Sequence, residues 1–199
     1  NVQIRSQVVS AQQSDPSYAL WSQQATSVDY YVQAKILTPT RPDISNPAVI
    51  LRYIDVNNHY RLHGVTPDSG FGGGVSLIKI KNGIQNILVT YSDINFPATL
   101  KLSVHGNQFF ITVIDNLGQV VVQDMVVDID PILSIGSAGF FTTVGPIAVG
   151  SPVLDDWELG TDTYCGDGII NGQEQCDDGL LNGQLGYCTL QCTFPTVYL

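Results

Sequence analysis

The chain is predicted to be all-β, a two-sheet antiparallel sandwich followed by a small disulfide-rich module. Three observations predict this. Segments rich in Val, Ile, Tyr and Thr alternate apolar with polar residues and recur at short spacing. Their connections carry residues that tolerate positive φ, at Asn57-Asn58, Asn82-Gly83, Gly106-Asn107 and Asn116-Leu117-Gly118. No segment has helical periodicity, and all four cysteines fall between Cys165 and Cys192.

The alternation predicts strands over 28–37, 48–56, 59–65, 75–81 and 84–91, then over 98–105, 108–115, 119–127, 137–144 and 152–159. Many short strands joined by tight turns make a sandwich rather than a parallel sheet, which would need helical crossovers. Residues 1–160 are therefore assigned to the sandwich and 161–199 to a Cys-rich acidic module with an extended C-terminal tail.

The module holds Cys165, Cys176, Cys188 and Cys192 among six glycines between Tyr164 and Phe194, with no apolar run long enough for a core. A segment this small needs covalent or metal staples. Two disulfides are expected, and with them an oxidising, extracellular, secreted or cell-surface location. The spacing leaves all three pairings open. Zinc is disfavoured because no Cys-x-x-C pair is present.

Charge is uneven. Of 18 acids, eight lie in residues 151–199, which contain no Lys or Arg, whereas the first 150 residues are close to neutral. An acidic chain lacks the basic surface that nucleic acids require. No stretch is long and apolar enough for a membrane span. The first residue is Asn1 rather than Met, so removal of an N-terminal segment is expected.

The runs ILRYIDVNNHYRLHGV, LIKIKNGIQNIL, LKLSVHGNQFFITVID and GSAGFFTTVGPIAVGSPVLDDWEL resemble the laminin-G-like, concanavalin A-like jelly roll over about residues 6–160. The tail, YCGDGIINGQEQCDDGLLNGQLGYCTLQC, is similar to the CGDG…CDDG…C-x-x-x-C repeats of secreted surface proteins, with Leu180-Leu181 as a departure before Asn182. The first resemblance implies a jelly-roll fold and, because that superfamily spans lectins, glycanases and adhesive spacers, leaves the activity open.

Glycanases need two carboxylates flanking a glycosidic bond. This chain has only Glu158 and Glu174 as glutamates, and Asp124, Asp128 and Asp130 sit near a strand end before Pro131, where they are expected to solvate a turn. It also lacks a G-x-S-x-G elbow and a phosphate loop. On these grounds the sequence predicts no enzyme.

Two kinds of site remain. Calcium takes several oxygens on a turning loop, and Asp167, Glu174, Asp177, Asp178 and Asn182 offer them, with Asp155 as a further candidate in the closing strand. A ligand or partner face is the other. With aliphatic and aromatic residues turned inward, Arg52, His59, Arg61, His63, Lys79, Lys81 and Lys101 all fall on outward positions. In that phase Tyr53, Tyr60, Ile78 and Ile80 point to the core.

The function expected is a secreted surface protein acting by binding and adhesion, with lectin-like recognition of glycans. The alternative is a structural subunit of an extracellular filament, whose copies join by strand or tail exchange and by acidic-tail to basic-face contacts. The partners are accordingly a glycan or other copies of the chain.

Overall fold

A computed structural model describes residues 9–10, 17–20, 29–37, 47–65, 73–142, 152–160, 170, 174–178 and 181–195. The chain divides into two compact units, residues 1–160 and 161–199. No α-helix occurs among the described residues, and no helix is long and apolar enough to cross a membrane.

The first unit is a jelly-roll sandwich of two antiparallel sheets. Its strands are β1 (Val9–Ser10), β2 (Ser17–Leu20), β3 (Tyr30–Ile36), β4 (Ala48–Asp55), β5 (Asn58–Val65) and β6 (Gly74–Lys81), then β7 (Ile84–Ser92), β8 (Ala98–His105), β9 (Gln108–Asp115), β10 (Val120–Val127), β11 (Ser137–Thr142) and β12 (Pro152–Gly160). One sheet runs β1-β12-β3-β8-β9-β10 and the other β2-β11-β4-β5-β6-β7. The ten longer strands lie where the alternation predicted them. β1 and β2 were not anticipated, because they are two and four residues long and the Gln- and Ser-rich sequence around them shows no sustained alternation.

The core forms between the inner faces. Val32, Ala34 and Ile36 of β3, Leu100, Leu102 and Val104 of β8, and Phe109, Ile111 and Val113 of β9 meet Val49, Leu51, Tyr60, Leu62, Val75 and Leu77 of β4–β6. Burying one such aliphatic side chain contributes about 1.5–3 kcal/mol. A one-residue slip would turn a whole row to the opposite face, so burial fixes the register.

In β6 the observed phase is opposite to the predicted one. The strand GVSLIKIK has apolar residues on both alternations, so its pattern alone is ambiguous. Its pairing with β5 sets Leu77 beside Leu62 and Lys79 beside Tyr60, both inner positions. Ile78 and Ile80 therefore take the outer face, and Lys79 goes inside, 6% exposed.

Lys79 is tolerated there because Asp128 meets it. Its Nζ lies 2.9 Å from the Asp128 carboxylate and also donates to the Asp130 carbonyl at 2.9 Å. Asp128 further accepts from the Tyr60 hydroxyl at 2.8 Å and from the Asp130 amide at 3.0 Å. The expectation that Asp128 solvates a turn is thus corrected: it is buried, and these donors hold its carboxyl below the usual range against the opposing effect of burial.

Asp128 begins the segment 128–136, which carries the chain from β10 in one sheet to β11 in the other. Asn107 of the β8–β9 turn holds its start, its backbone carbonyl accepting from the Asp128 amide at 2.9 Å and its side-chain amide donating to the Asp128 carbonyl at 3.2 Å, and long polar side chains from strands hold the rest. Tyr60 Oη accepts from the Ile132 amide at 2.8 Å, Arg52 Nη1 donates to the Ile132 carbonyl at 3.0 Å, and Tyr30 Oη donates to the Ile135 carbonyl at 2.9 Å. Gly136 ends the crossing at φ +59, where an added Cβ would stand 2.5 Å from the Arg52 carbonyl carbon. Only glycine fits so close an approach in that conformation.

Breaking a buried pair strands the surviving charge, at a cost of about 3–5 kcal/mol. Asp128→Ala is therefore expected to lower stability to urea by about that amount. A variant as stable as the parent in equilibrium unfolding would show that the pair does not anchor the crossing.

Candidate binding face

The predicted basic face does not hold together: four of its seven residues lie apart from the other three. Arg52 is buried, 1% exposed, at a bulge of β4 with φ 51, and its guanidinium stacks on Phe109 in the core. Lys79 is the inward member of the ion pair above. Lys81 sits near the sandwich end and is paired with Asp130 at 2.6 Å. Lys101 belongs to β8 in the opposite sheet, where its Nζ lies 4.1 Å from the centre of the Tyr31 ring. Arg52 and Lys79 thus correct the expectation of a continuous outward face, because the bulge and the Asp128 carboxylate turn them inward.

His59, Arg61 and His63 do share the predicted face. They occupy alternate positions of β5 on the outer side of the second sheet, opposite to Tyr60 and Leu62. Their lateral neighbours are Ile80, Ile78 and Ser76 on β6, and Ile50 and Ala48 on β4 beside Arg61 and His63. Four residues of strand place the two histidines about 13 Å apart, too far to share one metal ion.

An aromatic wall stands beside this row. Tyr18 of β2 has its ring centre 5.3 Å from Tyr53, 5.0 Å from Phe141 and 5.6 Å from His59, edge-on to the imidazole. Tyr53 therefore joins the outer face rather than the core, since the bulge at Arg52 shifts the phase of β4. The Arg61 guanidinium lies 4.7 Å from the centre of Phe141, and its Nη2 donates to Gln85 Oε1 of β7 at 2.8 Å. One side chain in mid-sheet thereby reaches both β11 and β7.

Three polar atoms on this face have no hydrogen-bond partner: Nε2 of His59, Nε of Arg61 and Nε2 of His63. All three are shut off from solvent, and His59 as a whole is 0% exposed. A buried polar atom left unsatisfied costs about 1–3 kcal/mol. Burial lowers both imidazoles to about 4, and the Arg61 cation between them acts in the same direction. Both histidines are neutral at pH 7.

The second unit gathers part of the predicted cation set. Carboxylate oxygens of Glu174 and Asp177 and the sulfur of Cys192 lie within 4.8 Å of one another. Asp178 is engaged locally, accepting from the Cys188 amide at 2.8 Å, and Asn182 donates to Asp177 and accepts from the Asp178 amide, each at 2.8 Å. Asp155 lies on β12 of the sandwich, at an irregularity where Asp156 has φ 50. Asp167 and Cys165 lie outside the described residues. Cys176 and Cys188 form a disulfide, and Cys192 is also disulfide-bonded, so its sulfur is no thiolate ligand. The disulfide is consistent with an oxidising, extracellular compartment.

No protein-family model matches this chain, and no curated protein does. Solved structures match through the fold. The enzymatically active domain of tailspike protein 2 of bacteriophage CBA120 aligns with a TM-score of 0.54 at 13% identity, over 81% of this chain and 28% of that one. The xylan β-1,4-xylosidase of Bacillus halodurans C-125 aligns with a TM-score of 0.53 at 16% identity, over 72% of this chain and 30% of the enzyme. The CBM2 module of the evolved Dit of Lactobacillus casei BL23 phage J-1 aligns with a TM-score of 0.50 at 9% identity, over 75% of this chain and 70% of the module. The chain thus spans less than a third of the length of either of these enzymes, and at these identities the likeness is one of fold.

These neighbours overturn the expectation of no enzyme, because this sandwich occurs within chains that are enzymes. The sequence argument looked for paired carboxylates along one strand. A sandwich also brings charged groups together from different elements, as the meeting of Lys79 of β6 with Asp128 of the crossing segment illustrates.

The histidines make stability depend on pH, with a definite sign. Unfolded, each takes up a proton near pH 6.5, whereas folded it does so only near pH 4. Below about pH 6.5 the unfolded chain binds more protons, so acidification favours unfolding down to about pH 4. The melting temperature is expected to fall between pH 6.5 and pH 4.5, and to fall less in His63→Gln. An equal slope in parent and variant would refute a neutral, buried His63.

Proposed function

We propose that this chain is a lectin-like binding protein of the cell exterior that recognises glycans through the outer face of the β2-β11-β4-β5-β6-β7 sheet. One observation carries the reading: three polar atoms of β5 lie unpartnered beside an aromatic wall. Sites for small polar ligands combine apolar and aromatic walls with a few placed polar groups in this way, and tyrosine and histidine rings offer sugars an apolar face with a polar rim. That a xylan β-1,4-xylosidase contains a sandwich of this shape supports the reading without fixing the ligand. Adhesion is the use proposed for this recognition.

The test is binding to an array of glycans by the purified chain and by Arg61→Ala. The parent is expected to bind at least one glycan, and the variant to lose about tenfold or more of that affinity, as fits loss of a hydrogen bond from a charged group. Equal binding by parent and variant would place the ligand elsewhere.

For the second unit we propose calcium, supported by the closeness of Glu174 and Asp177. Millimolar calcium is expected to raise the melting temperature of the chain through binding to the folded state, and Glu174→Gln is expected to remove that rise. No shift with calcium in the parent would end the proposal.

A further inference from the structure

The three unpartnered atoms of β5 differ in what they can bond. His59 Nδ1 lies 3.2 Å from the Asp55 carbonyl. A carbonyl only accepts, so Nδ1 carries the hydrogen of the neutral ring and Nε2 presents a lone pair. Arg61 Nε–H only donates. The face therefore offers an acceptor and a donor two residues apart, about 7 Å along the strand.

We propose that this face takes an uncharged saccharide, one hydroxyl donating to His59 Nε2 while another accepts from Arg61 Nε; this rests on the reading of the face as a glycan-binding surface. A hydroxyl both donates and accepts, so one kind of group satisfies both atoms. A carboxylate or sulfate brings acceptors alone and would set its lone pairs against that of His59. Arg61 is no free counter-charge for an anion either, since its guanidinium is already stacked on Phe141 and bonded to Gln85.

Access requires a ring to move. Tyr18 stands edge-on to His59, and it belongs to β2, a four-residue strand that, among the described residues, lies at the sheet edge and pairs with β11 alone. Short edge elements open at lowest cost. Tyr18 is thus the side chain that yields to the sugar and then packs against it.

The experiment measures binding by calorimetry of neutral xylo-, cello- and galacto-oligosaccharides, each beside a uronate or sulfated counterpart, to the parent and to His59→Phe. The Phe ring preserves packing against Tyr18 and Tyr53 and removes the lone pair. Neutral sugars are expected to bind, charged counterparts to bind at least about tenfold more weakly, and His59→Phe to lose about tenfold or more for the neutral ligand. Preference for the charged series would overturn this proposal and leave the glycan-binding reading standing. Neutral binding unchanged in His59→Phe would overturn it as well. Binding to neither series by folded protein would bring down the underlying reading. Nitrogen-15 chemical shifts of His59 in the parent give an answer independent of any variant: hydrogen on Nδ1 supports the proposal, and hydrogen on Nε2 overturns it.

Discussion

The Lys79–Asp128 pair, with Tyr60 as its third member, is the contact on which the sandwich depends. It joins the inner side of β6 to the first residue of the segment that leaves the opposite sheet and crosses to the sheet of β6. A buried pair of charges gains little over a well-packed apolar pair, so its value here is geometric. It fixes where the crossing starts, Tyr60 and Arg52 hold its middle, and Gly136 sets its end against the Arg52 backbone. The pairing of β6 with β5 turns Lys79 inward, and the same contact is what makes that phase tolerable.

The fold was legible in the sequence where patterning was one-sided. β3, β5 and β8 alternate cleanly, and both their extent and their inward residues agree with the structure. β6 was not legible in this respect, because Val75-Leu77 and Ile78-Ile80 compete for the same core and the deciding partner, Asp128, is remote in sequence. Arg52 and Tyr53 failed for a related reason: a bulge inverts the alternation after Leu51, and nothing in the residues themselves announces it.

The face was half legible. His59, Arg61 and His63 could be placed together because they share a strand and a period of two. Tyr18, Phe141 and Gln85 could not, since they come from three other strands brought alongside by sheet order, and β2 was not foreseen at all. The exclusion of catalysis failed in the same way: it tested spacing along a strand, while a sandwich assembles its polar groups across strands. The unpartnered atoms of β5 are a local violation of polar satisfaction, and such violations gather where a protein meets its ligand.

The two units are held by different forces. Buried apolar side chains hold the sandwich, whereas the described core of the module is Cys176, Cys188 and Cys192. A bridge closing a loop as short as that from Cys176 to Cys188 contributes about 3 kcal/mol. In a thiol-rich setting that contribution vanishes from the module. A shift in redox conditions would thus slacken the module, while the sandwich draws its stability from packed side chains rather than from sulfur.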